Sequence, residues 1–182
     1  MAGRVTPSPP PTAPAPSRFR AFMGRWATGV SVVTAHDDRG DAGLTVNALL
    51  SVSLDPPSLL VSLSRETDTL PAVQRSGRFG VSLLRAGQRS VSERFALTLP
   101  AAEKFAGIAA HRGPGGTLLL DDALGAVECR VASTVPAFDH LLIVGEVEHE
   151  ESGVDGAPLL FFRSGYAEPD GDDRLRLPPR RS

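Results

Sequence analysis

The chain of 182 residues has 19 Lys and Arg against 21 Asp and Glu. Its formal net charge of -2 leaves no broad basic field that could hold nucleic acid or an anionic membrane surface. Hydrophobic residues make up 41% and charged residues 22%, which is typical of a globular domain with a substantial core. The single cysteine, Cys129, excludes a disulfide framework within one chain and indicates a reducing compartment.

The ends of the chain differ in composition from its centre. Residues 1–16 are rich in Pro, Ala, Ser and Thr, which predicts a disordered arm. Residues 168–182 are rich in Pro, Asp and Arg and predict a flexible tail, so we expect one domain over residues 17–167. No segment approaches the ~20 apolar residues of a membrane span or resembles a secretory signal, and we therefore expect a cytoplasmic protein.

The first predicted element is a short helix capped by Ser17 and ended by Gly29. Its apolar residues recur at helical spacing, and we interpret the face that they form as core packing. These residues are Phe19, Phe22, Met23 and Trp26.

The rest of the chain reads mainly as strands. A β-branched run, a turn and a second run predict a hairpin over residues 30–47, and later strands are predicted over 51–54, 58–64, 78–84, 126–135, 141–148 and 158–162. Short helices are predicted over 67–76, 88–95 and 101–108, and residues 113–116 form a loop. About seven strands with short connecting helices predict a mainly β fold, a closed or nearly closed antiparallel barrel.

Several common sites have no sequence support. No G-x-G-x-x-G follows a strand and no Walker A sequence is present, which argues against a Rossmann or P-loop nucleotide site. The four histidines lack metal-ligand spacing, so we expect no metal, and the absence of G-x-S-x-G argues against a serine hydrolase.

The sequence GLTVNALLSVS, residues 43–53, places small polar residues at nearly alternate positions of a strand. Residues two apart share one face of a strand, so this pattern fits a solvent-facing surface. It also fits a site that offers hydroxyl groups and backbone amides to a planar heteroaromatic ring. The pattern alone leaves both interpretations open.

An ordered series of segments resembles the flavin reductase family of the FMN-binding split barrel. The series runs TGVSVVTA, GLTVNALLSVSLDPPSLLVSLS, TLPAV, SGRFGVSLL, SVSERFA, KFAG, ALGAVECRV, FDHLLIVGEV and PLLFFRSGY. It covers nearly all of the chain from Phe19 to Tyr166. The resemblance implies an FMN-binding split barrel with short flanking helices. Members of this family are the reductase partners of two-component flavin monooxygenases.

The resemblance implies residues that hold the flavin. Those expected along the isoalloxazine ring and ribityl chain are Thr45, Val46, Asn47, Ala48, Ser51, Val52 and Ser53. Those expected near the phosphate are Ser64, Thr67, Thr69, Gln88 and Arg89. Hydroxyl groups and a helix N-terminus suit a phosphate, whereas Glu66 and Asp68 are unfavourable neighbours for it, and Arg89 can equally be a surface residue.

The resemblance also implies catalytic residues. Asp139 and His140 match two residues of the family's Gly-Asp-His pattern, and Phe138 replaces its glycine, which bears on the shape of this loop. His140 is expected to place the nicotinamide over the flavin. Tyr166 is expected either to stack on a cofactor ring or to close the barrel as a packing residue.

The function implied is hydride transfer from NADH or NADPH to FMN or FAD, with the reduced flavin passing by diffusion to a separate monooxygenase. The resemblance also implies a homodimer, with the apolar helix face around Trp26 at its interface. Three alternatives remain open: another split-barrel enzyme such as a pyridoxamine phosphate oxidase-like oxidase, a non-catalytic flavin-binding module, and a barrel without a ligand.

Overall fold

The computed structural model of the protein describes residues 14–167. The helices are α1 (Pro16–Met23), α2 (Thr69–Ser76), α3 (Arg89–Ala96) and α4 (Ala101–Phe105). The strands are β1 (Thr28–Gly29), β2 (Ser31–Asp37), β3 (Gly40–Val46), β4 (Leu49–Leu54), β5 (Pro57–Ser64), β6 (Arg78–Leu83), β7 (Ala110–Arg112), β8 (Leu118–Leu120), β9 (Gly125–Ala137), β10 (His140–Ser152), β11 (Leu160–Phe162) and β12 (Gly165–Ala167).

One antiparallel sheet of seven strands dominates the fold, in the order β3-β2-β6-β9-β10-β5-β4. Its end strands, β3 and β4, are joined by the two residues Asn47 and Ala48 but do not pair, so the barrel is split rather than closed. A smaller sheet, β1-β11-β12, and the hairpin β7-β8 flank it. The predicted mainly β split barrel is confirmed.

The buried apolar residues form two clusters. The larger cluster fills the interior of the main sheet with residues from β2, β5, β6, α2 and β10, including Val61, Phe79 and Ile143. Cys129 is fully buried within it, and burial raises the pKa of its thiol to about 12. The smaller cluster lies beneath α3 and joins it to the small sheet.

Helix α1 departs from prediction in two ways. It begins at Pro16, whose missing N–H costs nothing in a first turn, and Ser17 makes no cap; it ends at Met23, while Gly29 lies in β1. None of its residues is buried; Phe22 in the helix and Trp26 in the turn after it are each 69% exposed. The core-packing interpretation of this face was therefore wrong for the single chain.

The predicted hairpin and the strand break after β4 are confirmed, because β2 pairs with β3 and β4 ends just before Asp55. The loop predicted over residues 113–116 is confirmed, and it forms the tip of the short hairpin β7-β8. Buried Glu128 holds this tip, accepting hydrogen bonds from the backbone N–H groups of Gly115 and Thr117 and from the Thr117 hydroxyl. The last predicted helix is shorter than expected and ends at Phe105.

Within residues 14–167 there is no helix with the length and apolar character needed to cross a membrane. The arm and tail predicted for the chain ends fall almost wholly outside the described residues.

Candidate functional site

The edge strand β4 and the link before it present the polar stretch of the sequence. Asn47 and Ala48 are exposed in the link, and Ser51 and Ser53 line a cleft of about 500 Å³. This volume lies within the range of ~300–1,000 Å³ typical of small-molecule sites. The side chain of Val52 is exposed, but it does not line this cleft.

The cleft has an apolar floor and a partly acidic rim. Inward-facing residues of neighbouring strands form the floor, among them Leu49, Leu59, Val81, Val127 and Val147. Glu150 and Glu151 lie at the rim near the end of β10. Such a surface accommodates an apolar ring system and places the hydroxyl groups of β4 along one side of it.

A second groove of about 270 Å³ continues from this cleft and shares Leu49 with it. Asn47 lines this groove together with Trp26 and Thr28. Among the described residues, Thr28 Oγ1 is a buried side-chain oxygen without a hydrogen-bond partner. Trp26 and Thr28 were not predicted as site residues, because nothing in the sequence indicates that β1 lies beside Asn47.

Two residues of the predicted flavin stretch point into the protein. The side chain of Val46 is buried in the larger core cluster, so only its backbone can contact a ligand. Thr45 Oγ1 donates to the carbonyl oxygen of Ser92 at 2.6 Å, which ties β3 to α3. A β-carbon on Gly43 would lie 2.8 Å from the Phe95 ring, so only glycine allows this close approach.

Lys104 is a buried cation beside this stretch that sequence reasoning missed. Its Nζ donates to the carbonyl oxygen of Gly43 at 2.9 Å, and burial lowers the pKa of the ammonium group. The bond fixes the start of the polar stretch against α4. A lysine in a short amphipathic helix is normally solvated, so the sequence alone offers no signal of this contact.

The turn between β9 and β10 carries the predicted catalytic pair. His140 begins β10 and is directly opposite Ser64 of β5. Its Nδ1 lies 2.9 Å from an Asp139 carboxylate oxygen, and this hydrogen bond lowers the pKa of Asp139. Because a carboxylate only accepts, Nδ1 is the donor in this bond, and Nε2 has no hydrogen-bond partner among residues 14–167.

The predicted phosphate segment lies next to this pair. Thr67 Oγ1 donates to the carbonyl oxygen of Ser64 at 2.9 Å, and the Ser64 hydroxyl accepts from the Glu66 N–H. Arg65 Nε donates to the carbonyl oxygen of Phe138. Thr69, in contrast, is buried in the first turn of α2.

Phe138 has an unusual combination of backbone and exposure. Its φ is +56°, and its side chain is fully exposed at the tip of a two-residue hairpin turn. The left-handed region costs a residue with a β-carbon about 1–2 kcal/mol, which explains why glycine suits such a position.

The remaining predicted residues, Gln88, Arg89 and Tyr166, lie around the start of α3. Tyr166 Oη hydrogen-bonds Ser92 Oγ at 2.8 Å, and the Arg89 guanidinium lies 5.4 Å from the centre of its ring. Arg89 also pairs with Glu93, which raises the pKa of its guanidinium. Gln88 is buried, and its side-chain oxygen accepts a hydrogen bond from the backbone N–H of Arg85. These contacts favour the packing role for Tyr166.

Comparison with known proteins gives a consistent result. Residues 23–170 match the flavin reductase like domain family. The chain is 38% identical over 148 residues to the reductase component of 4-hydroxyphenylacetate 3-monooxygenase from Thermus thermophilus, covering 81% of this chain and 93% of the relative. It is 36% identical over 161 residues to the NADH-dependent FMN reductase AsuE2 from Streptomyces nodosus subsp. asukaensis, covering 85% of each.

Solved structures show the same fold. The styrene monooxygenase flavin reductase from Pseudomonas putida S12 matches with a TM-score of 0.76 at 35% identity, over 84% of this chain and 97% of that one. Sequence and fold therefore agree that the chain belongs to the flavin reductase like domain family. The expectation of a flavin reductase, an oxidoreductase of the split-barrel class, is confirmed.

Proposed function

We propose that this protein transfers a hydride from NADH or NADPH to FMN or FAD and supplies the reduced flavin to a separate monooxygenase. The adjacency of β4, β5 and β10 carries this proposal. The Ser62 N–H donates to the carbonyl oxygen of Ala48, and Ser64, two residues further along β5, is opposite His140. The link of Asn47 and Ala48, in the middle of the flavin stretch, therefore lies beside the end of β5 that faces His140.

The residues of this region fit a flavin. The Asn47 amide, in the link that lies near the His140 end of β5, and the hydroxyl groups of Ser51 and Ser53 on β4 offer hydrogen-bond donors and acceptors to polar ring edges and the ribityl chain. For the phosphate we propose Ser64 and Thr67, which are partly accessible. The internal contacts of Thr45, Thr69 and Gln88 leave them supporting roles around the site, whereas Arg89 is exposed in a surface pair with Glu93.

His140 and Asp139 are proposed to orient the nicotinamide. When bound, the flavin supplies the hydride acceptor and the reduced nicotinamide supplies the hydride, so no strong acid or base is required. Asp139 holds the proton on Nδ1 of His140, which leaves Nε2 to accept a hydrogen bond from the carboxamide N–H. The residues thus contribute mainly alignment of two rings, which is a large part of the rate of such reactions.

We propose that the functional unit is a homodimer in the cytoplasm. Helix α1 and the turn that follows it leave Phe19, Phe22 and Trp26 exposed, and nothing within residues 14–167 covers them. A contiguous apolar surface of this kind is typical of a protein interface. Trp26 also lines the groove beside Asn47, so a second subunit on this face would lie next to the flavin stretch.

The role of His140 can be tested by steady-state oxidation of NADH with FMN as acceptor. We expect His140→Ala to raise the KM for NADH about tenfold, the effect of losing one hydrogen bond to a ligand, with little change in the KM for FMN. His149→Ala is the matched control, because His149 lies on the same strand but pairs with Glu151. Unchanged constants for His140→Ala would refute the assigned role.

A further inference from the structure

The fully exposed ring of Phe138 has no structural role within the described chain. Its backbone lies in the left-handed region, where hairpin turns favour Gly, Asn or Asp. The ring packs against nothing in residues 14–167, because its entire surface is exposed. Neither turn geometry nor packing within the described residues accounts for an aromatic residue here, which leaves its ring available for contact with another molecule.

The groups around Phe138 indicate the chemistry of that molecule. Arg65 holds the turn through its Nε and its backbone N–H, and its two terminal nitrogens have no partner among the described residues. His140 lies two residues further along the chain, and its Nε2 makes no hydrogen bond within the part of the chain that the structure describes. An aromatic face, a guanidinium and an imidazole at one turn match a nucleobase, a phosphate and a second polar ring.

We propose that Phe138 stacks on the adenine ring of the NAD(P)H molecule whose nicotinamide is oriented by His140. This inference rests on the proposed function. The order along the hairpin carries it, because His140 lies in the strand beside β5 whereas Phe138 stands at the exposed tip. The inner ring of a bound dinucleotide thus meets His140 and the outer ring meets Phe138. The guanidinium of Arg65, bonded to the same turn, faces the phosphates between them.

The test compares NADH with reduced nicotinamide mononucleotide, which has the same reacting ring but no adenosine. For Phe138→Ala we expect the KM for NADH to rise about tenfold, the usual worth of one base–aromatic stack, with kcat unchanged. The KM for the mononucleotide should stay the same. Phe138→Trp is the matched control, because it keeps an aromatic face and should retain the wild-type KM for NADH.

Other outcomes would overturn the proposal. An unchanged KM for NADH in Phe138→Ala excludes stacking on the adenine, and an equal rise for both reductants assigns Phe138 to the nicotinamide half. A shift of Phe138→Ala towards monomer in sedimentation velocity, with KM unchanged, assigns the residue to a subunit interface. If the wild-type protein oxidises neither reductant in the presence of flavin, the proposed function itself fails.

Discussion

The left-handed backbone of Phe138 is expected to lower the free energy of unfolding of the protein. A glycine there relieves about 1–2 kcal/mol of left-handed strain but adds up to ~1 kcal/mol of entropy to the unfolded chain. For Phe138→Gly we therefore expect a free energy of unfolding about 0.5–1 kcal/mol higher and a melting temperature about 2 °C higher. Differential scanning calorimetry measures both.

Phe138→Ala is the control that removes the ring but keeps the β-carbon, and with it the backbone strain. Its melting temperature should therefore be close to that of the wild type. Equal or lower stability of the glycine variant would show that this turn is unstrained in solution.

The positions of individual side chains could be predicted from the sequence only in part. Strand alternation predicts that Ser51 and Ser53 share one face, and both line the same cleft, although the pairing with β5 shifts register between them. The same alternation turns Val46 into the core, whereas the resemblance assigned it to the flavin. The contacts of Thr45 with Ser92 and of Lys104 with Gly43 join segments 47 and 61 positions apart, and no local pattern encodes them.

At the element scale, His111 connects the hairpin β7-β8 to β10 through hydrogen bonds to carboxylates. His111 bonds Asp121 and Glu151, and these hydrogen bonds raise the pKa of His111, while His111 lowers the pKa of Glu151. A raised histidine pKa stabilises the fold fully below the unfolded value of about 6.5, and this contribution is lost as pH rises through the folded pKa. The lowered pKa of Glu151 adds stability that is lost as pH falls below about 4.3.

We therefore compare His111→Gln with the wild type by urea unfolding between pH 5 and pH 9. The wild type should be more stable by about 0.5 kcal/mol near pH 6, a small value because the pair is half exposed, and this advantage should shrink towards pH 9. His36→Gln is the control, since His36 lies on the hairpin β2-β3 and pairs with Asp41, a carboxylate that Arg112 of β7 also binds and so keeps paired in the variant. An advantage that grows with pH would contradict the assignment.

The elements also differ in how far the sequence predicts them. The hairpin β2-β3, strands β5 and β6 and helix α2 follow strong local patterns and lie close to their predicted ranges. Strands β7 and β8 have three residues each, too few for a period to be recognised. Helix α1 has a clear apolar face, but periodicity shows only that a face is apolar, not what covers it.

At the scale of the whole molecule, we expect the exposed face of α1 to hold two subunits together. Replacing Phe22 and Trp26 together by Ser should raise the dimer dissociation constant at least tenfold, because each buried aromatic contributes about 1.5–3 kcal/mol. Sedimentation velocity across a dilution series measures it. Leu97→Ser is the matched control, an exposed apolar residue outside α1. A double variant that sediments as the wild type would place the interface elsewhere.

The central claim is that the whole molecule reduces flavin with NADH or NADPH. The most direct measurement is the rate of NAD(P)H oxidation by the purified protein with and without added FMN, FAD or riboflavin. We predict turnover that depends on both substrates and saturates with each, at a kcat of about 1–10³ s⁻¹. Oxidation of neither nucleotide with any of the three flavins would contradict the account, and tight flavin binding without turnover would assign the fold to flavin binding alone.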